Sequence, residues 1–197
     1  MFVAADQRIG TARLELTPLR VEDADEMADV LADPELYEVI GGSPPTVDQL
    51  RRRYEQMVVG HSPDGRQQWL NWVVRLRGDE AGGDAGREAG SAVGTLQATV
   101  MADGARADIA WIIGKPWQGR GYAGEAAQAL VAWLGDSGVG RVTAHIHPRH
   151  AASQAVARRA GLTPTEEVHD GEQRWSSDAS MKGEHRQTPE GPRRPRW

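Results

Sequence analysis

The sequence of 197 residues contains no cysteine. This absence excludes disulfide bonds, zinc sites built on thiolates, cysteine-bound iron–sulfur clusters and catalysis by a cysteine nucleophile. The sequence also lacks any run approaching the ~18 consecutive apolar residues of a transmembrane helix, and its first residues lack the basic start and apolar stretch of a secretory signal. We therefore expect a cytoplasmic protein that has no membrane partner.

Clustered positive charge is scarce outside the C-terminus. The formal net charge is −5, and residues 181–197 carry five Lys or Arg against two Glu, so this tail is at +3 and the remainder at −8. Because proteins that bind nucleic acid concentrate Lys and Arg on one surface, we expect no nucleic-acid partner. An acidic body suits a cationic or amine-bearing substrate, although many soluble proteins without such a substrate are acidic too.

Hydrophobic periodicity predicts a regular series of strands and helices. Strand patterns occur at residues 12–19, 69–77, 92–101, 105–113 and 141–147, and helical patterns at residues 22–33, 46–59, 121–134 and 151–160. Thr46 is a good N-cap for the second helix, and the Asp170-Gly171 pair predicts a tight hairpin near the C-terminus. This order predicts an α+β fold with a mostly antiparallel sheet, in which the helix from Gly121 joins two parallel strands.

Two segments are too poor in apolar residues to order themselves. Residues 78–91 are rich in Gly, which predicts a flexible hairpin loop, and residues 181–197 combine basic residues with Pro, which predicts a disordered basic tail. A chain of this length can bury one substantial core. We therefore expect a single domain over residues 1–180.

The most informative segment is residues 108–127, DIAWIIGKPWQGRGYAGEAA. An apolar strand runs into a glycine-spaced turn that opens directly into a helix, where main-chain N–H groups and the helix dipole favour an anion. Arg120 adds a guanidinium group. The Gly-Lys-Ser/Thr of a P-loop is not present. Taken alone, the turn predicts a phosphate site, which a nucleotide-binding protein would share, or simply a flexible helix entry.

Three motifs, in order along the chain, resemble the RimJ/RimL-like branch of the GNAT superfamily of acetyltransferases. Gln118-x-x-Gly121-x-Ala123, within ADIAWIIGKPWQGRGYAGEAAQALVAWL, resembles the acetyl-CoA pyrophosphate loop of that branch. HPRHAASQAVARRAGL is similar to its N-x-x-S…G-F segment, and LELTPLRVEDADEMADVLADPE is similar to its opening L-x-L-R-P-L-x-x-x-D-A. The resemblance implies the GNAT fold, an α+β fold with a mixed, mostly antiparallel central sheet flanked by helices on both faces.

The resemblance implies direct acetyl transfer from acetyl-CoA, as co-substrate, to a primary amine, without a metal. In this family, loop N–H groups hold the pyrophosphate, the preceding strand pairs with the pantetheine arm, and a main-chain N–H near Ile113 polarises the thioester carbonyl. The cofactor-binding residues implied here are Trp111, Ile112, Ile113, Gln118, Gly119, Arg120, Gly121, Tyr122, Ala123, Gly124, His150 and Ser153.

Two catalytic residues follow from the same resemblance. Asp108 matches the acidic residue that starts the strand, and we expect it to act as the base that neutralises the amine, through water because aspartate is short. Alternatively, Asp108 is an ordinary carboxylate at a strand end. Ser153 matches the serine of N-x-x-S and is the candidate hydroxyl donor near the sulfur; alternatively it caps or packs the first turn of its helix.

Two positions depart from the family pattern. His150 replaces the Asn, and Ala157 stands where many members have a Tyr that protonates the departing thiolate. A non-catalytic acyl-CoA-binding or regulatory module is therefore the alternative to an enzyme. The two classes differ in one respect, because only an enzyme releases CoA when an amine is present.

Histidines and tryptophans offer weaker signals. His145 and His147 share one face of a predicted strand, but no carboxylate or thiolate lies at ligand spacing, so we expect no metal and assign them to the sheet face rather than to the acceptor cleft. Trp69, Trp72 and Trp175 are expected in the core rather than in an aromatic acceptor pocket. We expect acceptor specificity to reside in residues 37–46 and 168–175, and the protein to be a monomer or a homodimer.

Overall fold

A computed structural model describes residues 6–78 and 90–177, apart from the side chain of Ile40. Residues 79–89, which make up most of the predicted flexible loop, and the predicted tail at residues 181–197 lie outside the described residues.

Within the described residues, eight strands form one sheet. They are β1 (Ile9–Gly10), β2 (Leu14–Pro18), β3 (Gln67–Leu76), β4 (Ala92–Met101), β5 (Ala107–Ile113), β6 (Val142–Ile146), β7 (Thr163–His169) and β8 (Glu172–Ser176). Their order across the sheet is β1-β2-β3-β4-β5-β6-β8-β7, and every neighbouring pair is antiparallel except β5 with β6. The predicted mixed, mostly antiparallel sheet is thereby confirmed.

The described helices are five α-helices and three short 3₁₀ turns. The α-helices are α1 (Ala24–Val30), α2 (Tyr37–Ile40), α3 (Val47–Met57), α4 (Tyr122–Asp136) and α5 (Ala151–Arg159); the 3₁₀ turns are Val21–Asp23, Pro34–Leu36 and Lys115–Trp117. Thr46 caps α3 as predicted: its Oγ1 accepts from the Gln49 N–H at 3.3 Å, and Gln49 Oε1 accepts from the Thr46 N–H at 2.8 Å. This reciprocal pair fixes the start of α3.

Helices cover both faces of the sheet. Trp72 of β3, Leu96 of β4 and Trp111 of β5 are consecutive register partners, so they share one face, and Trp133 of α4 meets the Trp72 ring edge-on at 5.4 Å between centroids. On the other face, Arg75 of β3 pairs with Glu26 of α1 at 2.7 Å. The buried core fills both sides of the sheet, because Leu70, Leu96 and Leu130 on the α4 side and Val73 and Met27 on the α1 side are all almost inaccessible to solvent.

Three features differ from the sequence-based expectations. The short strand β1 was not expected, and the predicted helix at residues 22–33 is a 3₁₀ turn followed by α1, which ends at Val30. Helix α2 was also not expected. Asp33 Oδ1 accepts from the Glu35 N–H at 2.9 Å, and Pro34 occupies the first helical position, so the pair that ends one helix also begins the next helical turn.

Candidate active site

Strands β5 and β6 separate soon after they begin. They are in register at Ala107 with Val142 and at Asp108 with Thr143, and no register pair joins their later residues. Both strands nevertheless continue, β5 to Ile113 and β6 to Ile146. A wedge-shaped gap, narrow at Asp108 and open toward Ile113, therefore lies between the two parallel strands.

The main chain of β5 presents alternate residues to this gap. The Gly114 N–H donates to Val93 O of β4 at 2.9 Å, whereas the Ala107 N–H donates to Arg141 O, on the β6 side, at 2.8 Å. Because the main-chain groups of successive strand residues point to opposite sides, Trp111 and Ile113 direct their N–H groups into the gap.

Two of the residues expected to bind the cofactor, Ile112 and Gln118, make contacts within the protein. The main chain of Ile112 is directed at β4, opposite Thr95, and not into the gap. The Gln118 side chain turns back on the strand, where its Nε2 donates to Ile113 O at 2.9 Å. This hydrogen bond from the Gln118 side chain therefore links the glycine turn to the end of β5.

The wide end of the gap leads to the glycine turn. Gly119 and Gly121 have φ of 76° and 81°, a conformation that glycine adopts readily, and Gly121 is the N-cap residue of α4. The Glu125 N–H makes the first hydrogen bond of the helix, to Gly121 O at 3.1 Å. The main-chain N–H groups of Ala123 and Gly124 therefore precede the helical ladder and mark the electropositive end of α4.

Arg159, at the end of α5, lies against this turn. A Cβ added to Gly124 would be 2.5 Å from Arg159 Cδ, and a Cβ added to Gly121 would be 3.3 Å from its Nη1. Among the described residues, no carboxylate pairs with Arg159. Glycine at these two positions therefore gives a guanidinium group room beside the helix start, a role that no sequence motif predicted, because α5 lies far along the chain.

Glu125 attaches the same helical turn to the loop between β1 and β2. Its Oε1 accepts from Thr11 Oγ1 at 2.6 Å and from the Arg13 N–H at 2.9 Å, and its Oε2 accepts from Arg13 Nε at 2.8 Å. Burial alone would raise the pKa of Glu125, but these hydrogen bonds together lower it. Arg13 also donates to Arg120 O at 3.1 Å and lies over the Tyr122 ring. The sequence predicted neither Arg13 nor Glu125 as part of this site.

Asp108 stands at the narrow end of the gap. It is 8% exposed, its Oδ1 accepts a short hydrogen bond from the Thr143 hydroxyl, and its Oδ2 lies 3.9 Å from Arg106 Nη2. Side chains alternate along a strand, so Asp108 is on the face opposite to Trp111 and α4. The carboxylate therefore opens onto the sheet face that α1 and α3 only partly cover.

That face is polar and half-exposed beside Asp108. Gln97 and Thr99 of β4 and His145 of β6 share it by register, and all three are half-exposed. In contrast, Thr95, nearer α1 on the same face, is buried. The half-exposed surface beside Asp108 therefore lies on the side of the sheet opposite to α4.

The start of α5 is capped by a histidine. The Ser153 N–H donates to His150 Nδ1 at 3.3 Å, so it is the amide of Ser153, and not its hydroxyl, that enters the cap. Burial, assisted by the nearby His147, lowers the pKa of His150. The neutral ring that accepts at Nδ1 carries its proton on Nε2. Ala157, on the same helix, is fully buried.

Two cavities flank α2 on the exposed side. One, of about 260 Å³, is lined by Glu38, Val39, His147 and Arg149. The other, of about 380 Å³, is lined by Gly42, Ser43, Pro45, Gln49, Arg52 and Arg53. Part of the segment at residues 37–46 therefore faces the loop that follows β6.

Within residues 6–78 and 90–177, no group of three His, Asp or Glu side chains is placed to hold a metal ion. No helix in that part of the chain has the length and apolar character needed to span a bilayer.

A gap between parallel strands beside a glycine-bounded helix start fits the class of protein that the motifs predicted, and comparisons with known proteins identify the family. The family model for an acetyltransferase (GNAT) domain matches residues 13–163. The chain therefore belongs to the GNAT acetyltransferase family and is an acyl-transferring enzyme, which confirms the family predicted from its motifs.

Individual relatives are distant in sequence and similar in fold. The uncharacterized N-acetyltransferase p20 of Bacillus licheniformis is 26% identical over 144 residues, which cover 73% of this chain and 75% of that protein. The structure of RimL, a ribosomal L7/L12 alpha-N-protein acetyltransferase in complex with coenzyme A, matches 87% of this chain and 100% of its own with a TM-score of 0.66 at 16% identity. An acetyltransferase from Agrobacterium tumefaciens matches 89% of this chain and 96% of its own with a TM-score of 0.65 at 21% identity.

Proposed function

We propose that this enzyme transfers the acetyl group of acetyl-CoA directly to a primary amine, in the gap between β5 and β6. The single observation that carries the proposal is that the two parallel strands separate just beyond Asp108 and open toward the start of α4. The donor thioester and the base then meet at the narrow end of one gap.

Acetyl-CoA binding is supported by the main-chain groups along β5 and the glycine turn. The pyrophosphate suits the N–H groups of residues 119–124, with Arg120 and Arg159 supplying positive charge. The pantetheine arm suits the main chain of Trp111 and Ile113, which faces the gap. An N–H of this strand then polarises the thioester carbonyl, and one such fixed donor is worth roughly 3 kcal/mol in the transition state.

Asp108 is the proposed base. It takes a proton from the substrate ammonium through a water molecule, and Thr143 and Arg106 hold its carboxylate in place. The neutral amine nitrogen then attacks the thioester carbon, the new C–N bond forms, and the C–S bond breaks. Because Ala157 has no hydroxyl group, Ser153 or solvent returns a proton to the CoA thiolate.

The acceptor reaches this point from the face opposite to α4. The cavity lined by Glu38 and His147 lies toward the open end of the gap and offers a carboxylate to an incoming ammonium group. Both a protein N-terminus, as in the RimL relative, and a small-molecule amine present that group. Residues 37–46 and 168–175 would then select between them.

The test is to measure the free CoA thiol released from acetyl-CoA when the purified enzyme is mixed with each of a panel of amines. The panel holds peptides with free N-termini and small primary amines, with N-acetylated versions of the same compounds as matched controls. We expect thiol release and a product heavier by one acetyl group only with free amines. Tight binding of acetyl-CoA without thiol release from any amine would contradict the proposal and support an acyl-CoA-binding module.

A further inference from the structure

The proposed base must pass on the proton that it receives. Asp108 is 8% exposed and lies between Thr143 and Arg106, so direct exchange of its proton with solvent is restricted. Thr143 already donates its hydroxyl hydrogen to Asp108 Oδ1 in the resting state. A titratable group nearby would accept this proton from Asp108 and release it to solvent.

His145 is placed to be that group. It follows Thr143 by two residues on β6, so it lies on the same face of the sheet, about 6.6 Å farther along the strand. Thr143 is in register with Asp108, so one water molecule would connect the carboxylate to the imidazole. His145 is half-exposed, although its Nδ1 atom is buried. The ring therefore has one side in the protein and another toward solvent.

The charged groups nearest to His145 lie on the two strands beside β6. Asp108 is on β5, with Arg106 just before that strand, and Arg174 of β8 is the register partner of His145. Arg174 is held by Glu167 of β7 at 2.6 Å, which offsets its positive charge. On its own side of the sheet, His147 follows two residues later and lines the cavity with Glu38. Asp108 and the cavity thus lie at opposite ends of a short row of side chains.

We propose that His145 is a proton-relay residue that accepts the proton of the amine from Asp108 through water and releases it toward the cavity at His147 and Glu38. The proton enters one ring nitrogen and another proton leaves from the opposite nitrogen, so the ring becomes neutral again as the other tautomer, and proton exchange with water restores the first tautomer before the next turnover. This inference rests on the proposed amine acetylation, because it assigns the exit route for the proton that this reaction produces.

The first experiment compares His145→Gln and His145→Ala with His169→Gln, a control on a histidine whose side chain is 80% exposed on β7. We expect kcat of both His145 variants to fall on the order of 10-fold, less than the 10²–10⁴-fold that a direct acid–base group contributes. The KM for acetyl-CoA and the melting temperature should stay unchanged, and added imidazole should restore kcat of His145→Ala. Unchanged kcat, or a loss that imidazole does not restore, would overturn the inference.

A second experiment does not depend on turnover. The His145 ring is followed by NMR as pH is varied, in the wild type and in Asp108→Asn. We expect its titration to move to lower pH when the carboxylate is removed, because a nearby anion favours the imidazolium form. An identical titration in both proteins would overturn the coupling. If the titration moves but no amine is acetylated by the wild type, it is the proposed function that fails.

Discussion

The two faces of the sheet around β5 are built in different ways. On the donor side, main-chain N–H groups, two glycines with positive φ and a helix start without a side-chain cap define the site. On the acceptor side, half-exposed side chains from β4 and β6 share the sheet face of Asp108. Under the proposed function, the difference teaches that backbone geometry, which a short motif encodes, would bind acetyl-CoA, whereas the amine would meet side chains that separate parts of the chain bring together.

The substitution Gly121→Val should weaken acetyl-CoA binding on the donor side the most. A β-branched residue at φ of 81° costs about 1–3 kcal/mol, and the added Cβ would crowd Arg159 at 3.3 Å. If the turn reorients to relieve this strain, affinity for acetyl-CoA in calorimetric titration falls roughly 10- to 100-fold. Gly135→Ala, in the same helix with nothing within 4 Å, is the matched control and should bind normally. Normal binding by Gly121→Val would show that the turn does not hold the pyrophosphate.

The substitution Arg159→Gln tests how much the positive charge of Arg159 contributes to acetyl-CoA binding, apart from the main-chain N–H groups on the donor side. We expect acetyl-CoA to bind about 10-fold more weakly, since a charge-assisted contact to phosphate is worth about 1.5–3 kcal/mol, and the salt dependence of binding to become shallower. Arg158→Gln is the control, because the neighbouring Arg158 stacks over Trp175 at 5.1 Å. Equal losses in the two variants would contradict a specific role for Arg159.

Glu125→Gln tests how the donor turn is attached to the rest of the sheet. We expect the free energy of unfolding in urea to fall by about 1–3 kcal/mol at neutral pH, because Arg13 loses its charged partner. The pKa of Glu125 is lower in the folded state, so its contribution is present above about pH 4.3 and is lost as pH falls through the folded pKa. The variant should lack this loss. Glu55→Gln, on the exposed side of α3, should behave as wild type.

His150→Asn is expected to have the smallest effect. Asn is also a good N-cap, so stability at pH 8 should change by less than about 0.5 kcal/mol. In the wild type the folded-state pKa of His150 is lowered, so the stability that the neutral ring supplies is complete above about pH 6.5 and is lost as pH falls through the folded pKa. Thermal melts across this range should show the loss in the wild type alone. The same loss in the variant would place its origin elsewhere.

The donor side was also the part that the sequence predicted best. The strand, the glycine turn and the helix are contiguous, so residues 108–127 carry both the motif and its geometry. Arg13 and Arg159 were not predicted because they reach the turn from the β1–β2 loop and from α5, and tertiary packing alone brings them there. Helix α2 was not predicted because Asp33-Pro34 was interpreted only as the end of the preceding helix. The direction of the Ile112 main chain depends on the register with β4, which no local pattern specifies.

The most direct test of the account is the pH profile of kcat/KM for Asp108→Asn, with Asp103→Asn in the β4–β5 turn as control. Asp103 accepts from the Ala105 N–H at 2.9 Å within that turn, so its variant should turn over normally. For Asp108→Asn we predict a fall of about 10²–10³-fold across the pH range and acetyl-CoA affinity that stays at the wild-type value. Turnover that matches the wild type at every pH would contradict the assignment of Asp108 as the base that prepares the amine.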